Sequence, residues 1–182
     1  HLIDFLLENK FRPIVYDNRD TGLSSRIPSD SFSDAKRDNT IVKNYIRYYL
    51  RLPIKSDYTL DDMAVDGVSV LDKLDISEAH ILGVSMGGMI AQIIVSSHPE
   101  RTKTFTLISS TASTPSPFNG PTRKVRKLLM NRTKNPNSTV DERVARSRKI
   151  FTEIGYQGID LNTEEFYNSV SISIERGGKD DT

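Results

Sequence analysis

Residues 79–97 read AHILGVSMGGMIAQIIVSS, and this stretch decides the fold. Residues 79–84 are a short apolar run, which predicts a buried β-strand. Residues 86–97 are rich in Ala, Ile and Val and predict a helix that begins directly after the strand. Between them lies a G-x-S-x-G motif, residues 83–87, in the order strand, turn, helix that favours a nucleophilic serine.

The spacing of this motif has a physical reason. A strand that turns sharply into a helix holds Ser85 in a strained backbone conformation and exposes its Oγ. Gly83 and Gly87 approach each other across the turn, so we expect only small residues to fit there. The unpaired N–H groups of the new helix, chiefly that of Met86, point towards a developing oxyanion. Gly88 adds a small residue that allows the helix to pack closely on the sheet.

The segments on both sides continue an alternation of helices and strands. Residues 2–7 predict a helix, and residues 11–16 and 104–109 predict two further strands. A capping-box-like start at Thr59, with Asp62 in place of the usual Glu or Gln, predicts the helix before the motif. This order predicts an α/β fold with a parallel sheet and helices on both of its faces.

The composition changes after about residue 110. Residues 111–121 are rich in Ser, Thr, Pro and Gly, which predicts a linker. Three helical patterns follow it, at residues 122–131, 139–154 and 163–175. Ser138 is the expected N-cap of the second helix, and Asn162 that of the third. We interpret this part as a second, helical unit.

Three further segments carry a family resemblance beyond the motif. They are Arg12–Ser25, Tyr58–Ala64 and His98–Arg101. With the motif they resemble the α/β-hydrolase fold family, where they look like strand 4 and its loop, the helix start before the nucleophile elbow, and the end of the nucleophile helix. The loop form, Asp17-Asn-Arg-Asp20 followed by Gly22-Leu-Ser24, is most similar to the esterases grouped with aclacinomycin methylesterase.

The resemblance implies a domain organisation and two site residues. Residues 1–113 are expected to be a partial α/β-hydrolase core with strands 4, 5 and 6 of the family sheet. Residues 114–182 match a partial helical cap, or lid, only loosely. The resemblance implies that Ser85 is the nucleophile and that the Met86 backbone N–H belongs to the oxyanion hole, with Gly83, Gly87 and Gly88 as the structural elbow.

A serine nucleophile needs a histidine base within hydrogen-bond reach and an acid that orients it. His80 lies five residues before Ser85 on the same strand, about 16 Å away. His98 lies at the far end of the following helix, about 20 Å away. His1 precedes the serine, although the family order is serine, acid, histidine. We therefore expect none of the three histidines to be the base.

The acid is missing as well. Residues 109–113, where some relatives carry it, hold no carboxylate. Asp17 and Asp20 precede Ser85 and are predicted to form a loop and a turn. The family's second oxyanion donor, from the loop after strand 3, has no counterpart. We therefore expect an internal fragment of a longer hydrolase, inactive as given, with the triad acid and histidine outside it. The alternatives are a partial gene model and a chain completed by missing segments.

Composition excludes several classes of protein. The 182 residues carry 25 Lys+Arg against 24 Asp+Glu, a net charge of +1 at pH 7, which argues against a nucleic-acid binder. The chain has no cysteine, hence no disulfide framework and no thiolate metal site. No apolar run approaches the ~20 residues of a membrane helix. We expect no cofactor, metal, nucleic-acid or membrane partner, and a cytoplasmic location is mildly favoured.

Residues 122–149 concentrate ten basic residues against two acidic ones, a local charge of +8. One interpretation is electrostatic steering of an anionic substrate to the cleft beneath the cap. The other is that the charges lie on the solvated faces of surface helices.

Together these observations predict a serine hydrolase that acts on a small-molecule carboxylic ester-like substrate. The alternative is a non-catalytic α/β-hydrolase-like protein that keeps the sheet and binds a ligand without a triad. The sequence leaves the substrate and the oligomeric state open.

Overall fold

The computed structural model describes residues 2–27, 43–44, 46–47, 50, 52, 56–112, 122–130, 138–155 and 158–177. The chain divides into two compact units, and each is described by itself. The elbow unit is Pro28–Arg126, and the helical unit combines His1–Ile27 with Lys127–Thr182. The domain boundary predicted between residues 113 and 114 lies outside the described residues and stays a prediction.

The described helices and strands follow the predicted order with one exception. In chain order they are α1 (Leu2–Glu8), α2 (Leu60–Lys73), β1 (Ala79–Val84), α3 (Met86–Ser97), a 3₁₀ turn (Pro99–Arg101), β2 (Thr102–Ile108), α4 (Arg123–Met130), α5 (Val140–Ile154) and α6 (Glu164–Gly177). The predicted bounds of β1 and α3 are confirmed. The exception is the strand predicted at residues 11–16.

The strand predicted at residues 11–16 is wrong. These residues form no helix or strand, and Phe11, Val15 and Tyr16 are exposed. A strand exists only when a neighbour completes its hydrogen-bond ladder, and the described sheet consists of β1 and β2 alone. Pro13 also lacks the N–H that a ladder would use. The described sheet therefore contains the predicted strands 5 and 6 without strand 4.

In the elbow unit, β1 and β2 pair in parallel, and α3 lies between them in the chain. His80 lies opposite Thr104, and Val84 lies opposite Ile108. Helix α3 packs on both strands, as expected for the crossover between parallel neighbours. This arrangement brings the carboxyl ends of β1 and β2 together, at the point where Ser85 follows β1.

The core of the elbow unit lies between α2 and α3. Met63, Ala64 and Val68 of α2 cluster with Ile90 and Ile94 of α3, and all five are buried. Burial of a side chain such as Met63 or Ile90 contributes about 1.5–3 kcal/mol relative to leaving it exposed. The packing of α2 therefore anchors α3, the helix that begins at the elbow.

Arg101 ties the end of the 3₁₀ turn to the loop between α2 and β1. Its guanidinium donates to Ser77 O at 2.7 Å and to Ile76 O at 2.9 Å, and it pairs with Asp72 Oδ1 at 2.7 Å. One side chain thus fixes the entry to β1 next to the entry to β2. A planar group with several donors suits this triple contact better than a lysine would.

The opposite face of the sheet has an exposed apolar patch at the carboxyl ends of the strands. Leu82, Val84 and Ile108 are 44%, 50% and 39% exposed, respectively. Because side chains alternate along a strand, these residues share one face, whereas Gly83 and Leu107 face α3. Apolar residues on both faces are typical of strands from parallel sheets.

In the helical unit, α5 and α6 form a helix pair. Phe151 and Phe166 meet edge to face with ring centroids 5.8 Å apart. Arg148 donates to Leu161 O at 3.0 Å, and its guanidinium lies 5.9 Å from the Phe166 ring centre. Tyr167 donates its hydroxyl to Asp141 Oδ1 at 2.8 Å, a contact that raises the pKa of Tyr167.

The structure confirms one predicted helix cap and corrects two. Thr59 begins α2 with a full capping box, as predicted. The N-cap of α5 is Thr139 and not Ser138, since Thr139 accepts the Glu142 N–H and the Glu142 side chain accepts the Thr139 N–H in a capping box. The start of α6 is capped by Thr163 Oγ1, which accepts from the Phe166 N–H at 3.2 Å. The Asn162 prediction is therefore wrong by one residue.

Candidate active site

Ser85 occupies a strained turn between β1 and α3. Its backbone has φ 53° and ψ −120°, and the residue is exposed. A positive φ at a non-glycine residue costs about 1–3 kcal/mol and persists only where neighbours enforce it. Here the Ser85 N–H donates to Ile108 O at 3.0 Å, and Ser85 O accepts the Gly88 N–H at 2.9 Å. The turn is thus held from β2 on one side and from α3 on the other.

Two backbone donors stand open beside Ser85. Gly88 and Met89 both donate to Ser85 O. In the part of the chain that the structure describes, the N–H groups of Met86 and Gly87 have no acceptor, and the Ser85 side chain does not cap the helix. These N–H groups form the positive end of α3, where an anion is stabilised. The arrangement offers an exposed hydroxyl with a candidate anion site next to it.

The three elbow glycines differ in the atoms that an added Cβ would meet. A Cβ at Gly83 would lie 2.4 Å from Gly87 O and 2.6 Å from Gly88 Cα. A Cβ at Gly88 would lie 2.6 Å from both Leu107 Cδ1 and Ser110 Cβ, which explains the close packing of helix on sheet. Among the described residues, a Cβ at Gly87 would meet no heavy atom within 4 Å. An alanine would therefore fit at Gly87, and the expectation that only small residues fit there stays a prediction.

The turn after β2 forms the neighbouring side of the site. Ser109 has φ 48°, a second left-handed residue that is not glycine. Among the described residues, the buried Ser110 Oγ has no hydrogen-bond partner. Gln92 reaches from α3 and donates its Nε2 to Thr111 O at 2.9 Å and to Gly88 O at 3.1 Å. Residues 109–112 hold no carboxylate, and residue 113 lies outside the described residues.

The two described histidines lie at the far ends of the elements that meet at Ser85. His80 is the second residue of β1, and its Nδ1 is 2.8 Å from Thr104 Oγ1. His98 follows the last residue of α3, with its Nδ1 3.7 Å from Glu100 Oε1. The element geometry therefore keeps both side chains out of hydrogen-bond reach of Ser85. His1 lies outside the described residues.

A separate polar cluster lies in the helical unit. Asp17 Oδ2 accepts the Leu23 N–H at 3.1 Å and pairs with Arg176 Nη2 at 2.8 Å. The Leu23 hydrogen bond and the Arg176 contact lower the pKa of Asp17. Gly22 has φ 52°, and a Cβ there would lie 2.4 Å from Asp17 Cγ. A cavity of about 440 Å³ lies between residues 17–22 and the α6 face that carries Arg176.

The roles predicted for Asp17 and Asp20 are confirmed. Asp17 closes the turn through the Leu23 N–H, and Asp20 Oδ1 accepts the Ile27 N–H at 2.6 Å. Both carboxylates therefore organise the 17–27 backbone. Sequence reasoning missed Arg176, whose position 159 residues along the chain gives no local signal.

Metal-binding clusters and membrane-spanning helices are absent from the described residues. No group of three or more His, Cys, Asp or Glu side chains in this part of the chain is placed to bind a metal ion. No described helix has the length and apolar character needed to cross a membrane. Of the ten basic residues in the 122–149 region, Arg148 has a structural contact in the α5–α6 pair, and residues 132 and 134 lie outside the described ranges.

Comparison with known proteins identifies the family. A model of the alpha/beta hydrolase fold matches residues 1–169. The chain belongs to this family. A solved hydrolase structure from Pseudomonas aeruginosa PA01 superposes with a TM-score of 0.50 at 20% identity, covering 97% of this chain and 56% of that one. That likeness supports the fold.

Two sequence relatives of this family member are named as hydrolases. Rhodomycin D methylesterase DauP from Streptomyces sp. (strain C5) is 33% identical over 95 residues, which are 52% of this chain and 24% of DauP. A protein named "Putative carbamate hydrolase RutD" from Pseudomonas savastanoi pv. phaseolicola is 28% identical over 120 residues, or 65% of this chain and 46% of RutD. The chain thus spans less than half the length of either relative, and the predicted family resemblance is confirmed.

Proposed function

We propose that this chain carries the nucleophile of a serine hydrolase that cleaves carboxylic ester-like substrates. Ser85 Oγ attacks the substrate carbonyl carbon, and the Met86 N–H donates to the oxyanion that forms. Collapse of the tetrahedral intermediate releases the alcohol and leaves an acyl group on Ser85. Water then attacks the acyl-enzyme and releases the acid, which restores the serine hydroxyl.

The backbone of Ser85 is the observation that carries this proposal. A serine with φ 53° at an exposed strand-to-helix turn is costly for the fold, and such strain clusters at functional sites. Two N–H groups at the start of α3, which have no acceptor among the described residues, give the strain a chemical use, since donors at a helix start stabilise a developing negative charge. The names of the relatives, a methylesterase and a carbamate hydrolase, favour acyl transfer to water.

A base and an acid must complete the mechanism. Neither described histidine reaches Ser85, and residues 109–112 offer no carboxylate. Since His1 also precedes Ser85, against the family order, we assign the triad histidine, the triad acid and the second oxyanion donor to residues outside these 182. By this proposal the chain alone does not turn over esters, because an unassisted serine hydroxyl is a weak nucleophile.

A labelling experiment tests the nucleophile. A fluorophosphonate probe should modify the full-length protein at Ser85, and Ser85→Ala should abolish both labelling and hydrolysis of a p-nitrophenyl ester. A full-length protein that folds and binds ligand but is not labelled at Ser85 would instead support the non-catalytic binding alternative.

An ester-hydrolysis assay of the 182-residue chain tests the assignment of the base and acid. We expect no turnover above that of the Ser85→Ala variant. Turnover that Ser85→Ala removes would contradict the assignment, because it would require a base within these residues.

The basic residues of the 122–149 region suggest a test of substrate class. If they steer an anionic substrate, kcat/KM for an anionic ester should fall with rising ionic strength while that for a neutral ester stays constant. Equal salt dependence for both esters would support the solvated-surface interpretation.

A further inference from the structure

We propose that Gln92 is a positioning residue for Ser85, acting through the turn at residues 109–111. This inference rests on the proposed function, because it concerns how the nucleophile is held. Gln92 lies seven residues beyond Ser85 on α3 and is half-buried, so it acts through the backbone that it holds.

The contacts of Gln92 join two elements. Its single Nε2 atom has two hydrogens, and it donates to Gly88 O at 3.1 Å and to Thr111 O at 2.9 Å. The first acceptor lies in the first turn of α3, one turn before Gln92 itself. The second lies 19 residues further along the chain, after β2. The side chain therefore links the elbow helix to the turn that follows the neighbouring strand.

The linked turn borders the nucleophile directly. Ile108, the last residue of β2, accepts the Ser85 N–H, and Ser109 follows it with φ 48°. Ser110 then packs against Gly88, where there is no room for a Cβ. Thr111 is the next residue, and Gln92 holds its carbonyl. A shift of this turn would move the Ile108 carbonyl and, with it, the backbone of Ser85.

Two residues in left-handed backbone conformations, at the ends of neighbouring strands, need support from the surrounding structure. Ser85 and Ser109 are both non-glycine residues with positive φ, at the ends of β1 and β2. Such conformations persist only where the surrounding structure over-determines them. Ser85 is held by hydrogen bonds to β2 and α3, and the contacts that hold the turn after Ser109 include the packing of Ser110 and the Gln92 hydrogen bond. Removal of the Gln92 donor should relax this turn first and the nucleophile through it.

The experiment compares two variants of the full-length protein. Gln92→Met keeps an unbranched side chain of similar length and removes both donors. Ser96→Ala is the matched control, because Ser96 Oγ donates to Ile93 O at 3.1 Å within α3 and does not reach the turn. Fluorophosphonate labelling of Ser85, ester kinetics and amide hydrogen exchange of residues 109–112 are measured well below both melting temperatures.

We expect Gln92→Met to lower kcat and the labelling rate about ten-fold, since small misplacements of a reacting group slow the reaction strongly. KM should change by no more than about two-fold, because substrate binding groups are untouched. Exchange of residues 109–112 should accelerate. Ser96→Ala should leave all three readouts near those of the unsubstituted protein.

The outcomes separate this inference from the proposed function. Labelling of the unsubstituted protein together with equal rates for Gln92→Met and Ser96→Ala would overturn the role of Gln92. Absence of labelling in the unsubstituted protein would overturn the proposed function itself. Should Gln92→Met fail to fold, Gln92→Glu takes its place, because it keeps the size of the side chain and replaces the donors with acceptors.

Discussion

Of two apolar runs of six residues in this molecule, one forms a β-strand and the other does not. Residues 79–84 form β1, with a parallel partner on one side and α3 packed on its face. Residues 11–16 form no strand, and Val15 is 77% exposed. Both runs have the composition of a buried strand. The difference is the partner, since a ladder needs a second strand and a hydrophobic run carries no information about where that strand is.

Strand β1 and the segment that follows residues 11–16 are also held by different kinds of contact. β1 is held by the ladder to β2, by the packing of α3 and, at its entry, by Arg101. The segment after residue 16 is held by a turn, in which Asp17 and Asp20 accept backbone N–H groups, and by the exposed Asp17–Arg176 ion pair. Substitutions at β1 should therefore have large effects on stability, and those around Asp17 small ones.

The largest effect is expected at Gly83. Gly83→Ala would place a Cβ 2.4 Å from the Gly87 carbonyl oxygen, and backbone cannot move aside cheaply. We expect a loss of stability of about 3 kcal/mol or more, the upper end for overpacking. Urea unfolding monitored by circular dichroism measures it.

Gly87→Ala is the matched control for Gly83. Its Cβ would enter open space, and alanine favours a helix by about 0.5–1 kcal/mol over glycine. We expect no loss of stability. Equal destabilisation by the two variants would show that the elbow is tight at both glycines, contrary to the geometry.

The next largest effect is expected at Arg101. Arg101→Ala removes two hydrogen bonds to carbonyls and the pair with Asp72, and the arginine side chain is only 18% exposed. We expect a loss of about 2–3 kcal/mol, since hydrogen bonds to charged groups contribute about 1.5–3 kcal/mol each and are not additive. Chemical denaturation measures the change in unfolding free energy.

Lys103→Ala provides the comparison for Arg101. Lys103 pairs with Glu78 at 3.3 Å, and both side chains are near half exposed. A surface pair of this kind contributes about 0–1 kcal/mol, so we expect little change. A larger loss for Lys103→Ala than for Arg101→Ala would refute the role given to Arg101.

A smaller effect is expected at the start of α2. Thr59→Ala removes the side-chain acceptor for the Asp62 N–H and with it half of the capping box. Loss of such a cap costs about 1 kcal/mol. Thr59→Ser, which keeps the hydroxyl, should recover most of this stability in the same unfolding measurement.

The smallest effect is expected at Asp17, as a dependence on pH. The folded pKa lies below the ordinary value of 3.8, so Asp17 stabilises the turn fully above about pH 4 and loses this effect as the pH falls through the folded pKa. Amide protection at Leu23, followed by NMR, should therefore decrease on acidification. In Asp17→Asn the protection should be low and independent of pH in this range, and an unchanged profile would contradict the assignment.

The parts of the fold that the sequence predicts correctly are those decided by local signals. β1 and α3 are bounded by the Gly83–Gly87 turn, and the α2 cap needs only Thr59 and Asp62. Prediction of the cap of α5 failed by one residue because Ser138 and Thr139 are both good N-caps and each has an acidic residue three positions later, so the residue types do not distinguish them. Gln92 and Arg176 could not be found in this way, since their partners lie 19 and 159 residues away.

In the candidate active site, too, the sequence predicts the features that have a local signal and misses those that depend on the three-dimensional arrangement. Ser85 and the Met86 N–H follow from the motif, whereas the tightness of Gly83 and the openness at Gly87 depend on how steeply α3 leaves the sheet. The space available at each glycine depends on the direction of the backbone, and the residue types alone do not determine that direction.

The exposed sheet face of Leu82, Val84 and Ile108 has a practical consequence for the behaviour of the chain in solution. Within the described residues the sheet consists of β1 and β2 alone, so both are edge strands next to an exposed apolar surface. Such edges pair readily with another chain. Recovery of this polypeptide should therefore fall steeply with concentration, and a lysine in place of Leu82 should improve its solubility without touching the α3 side of the sheet.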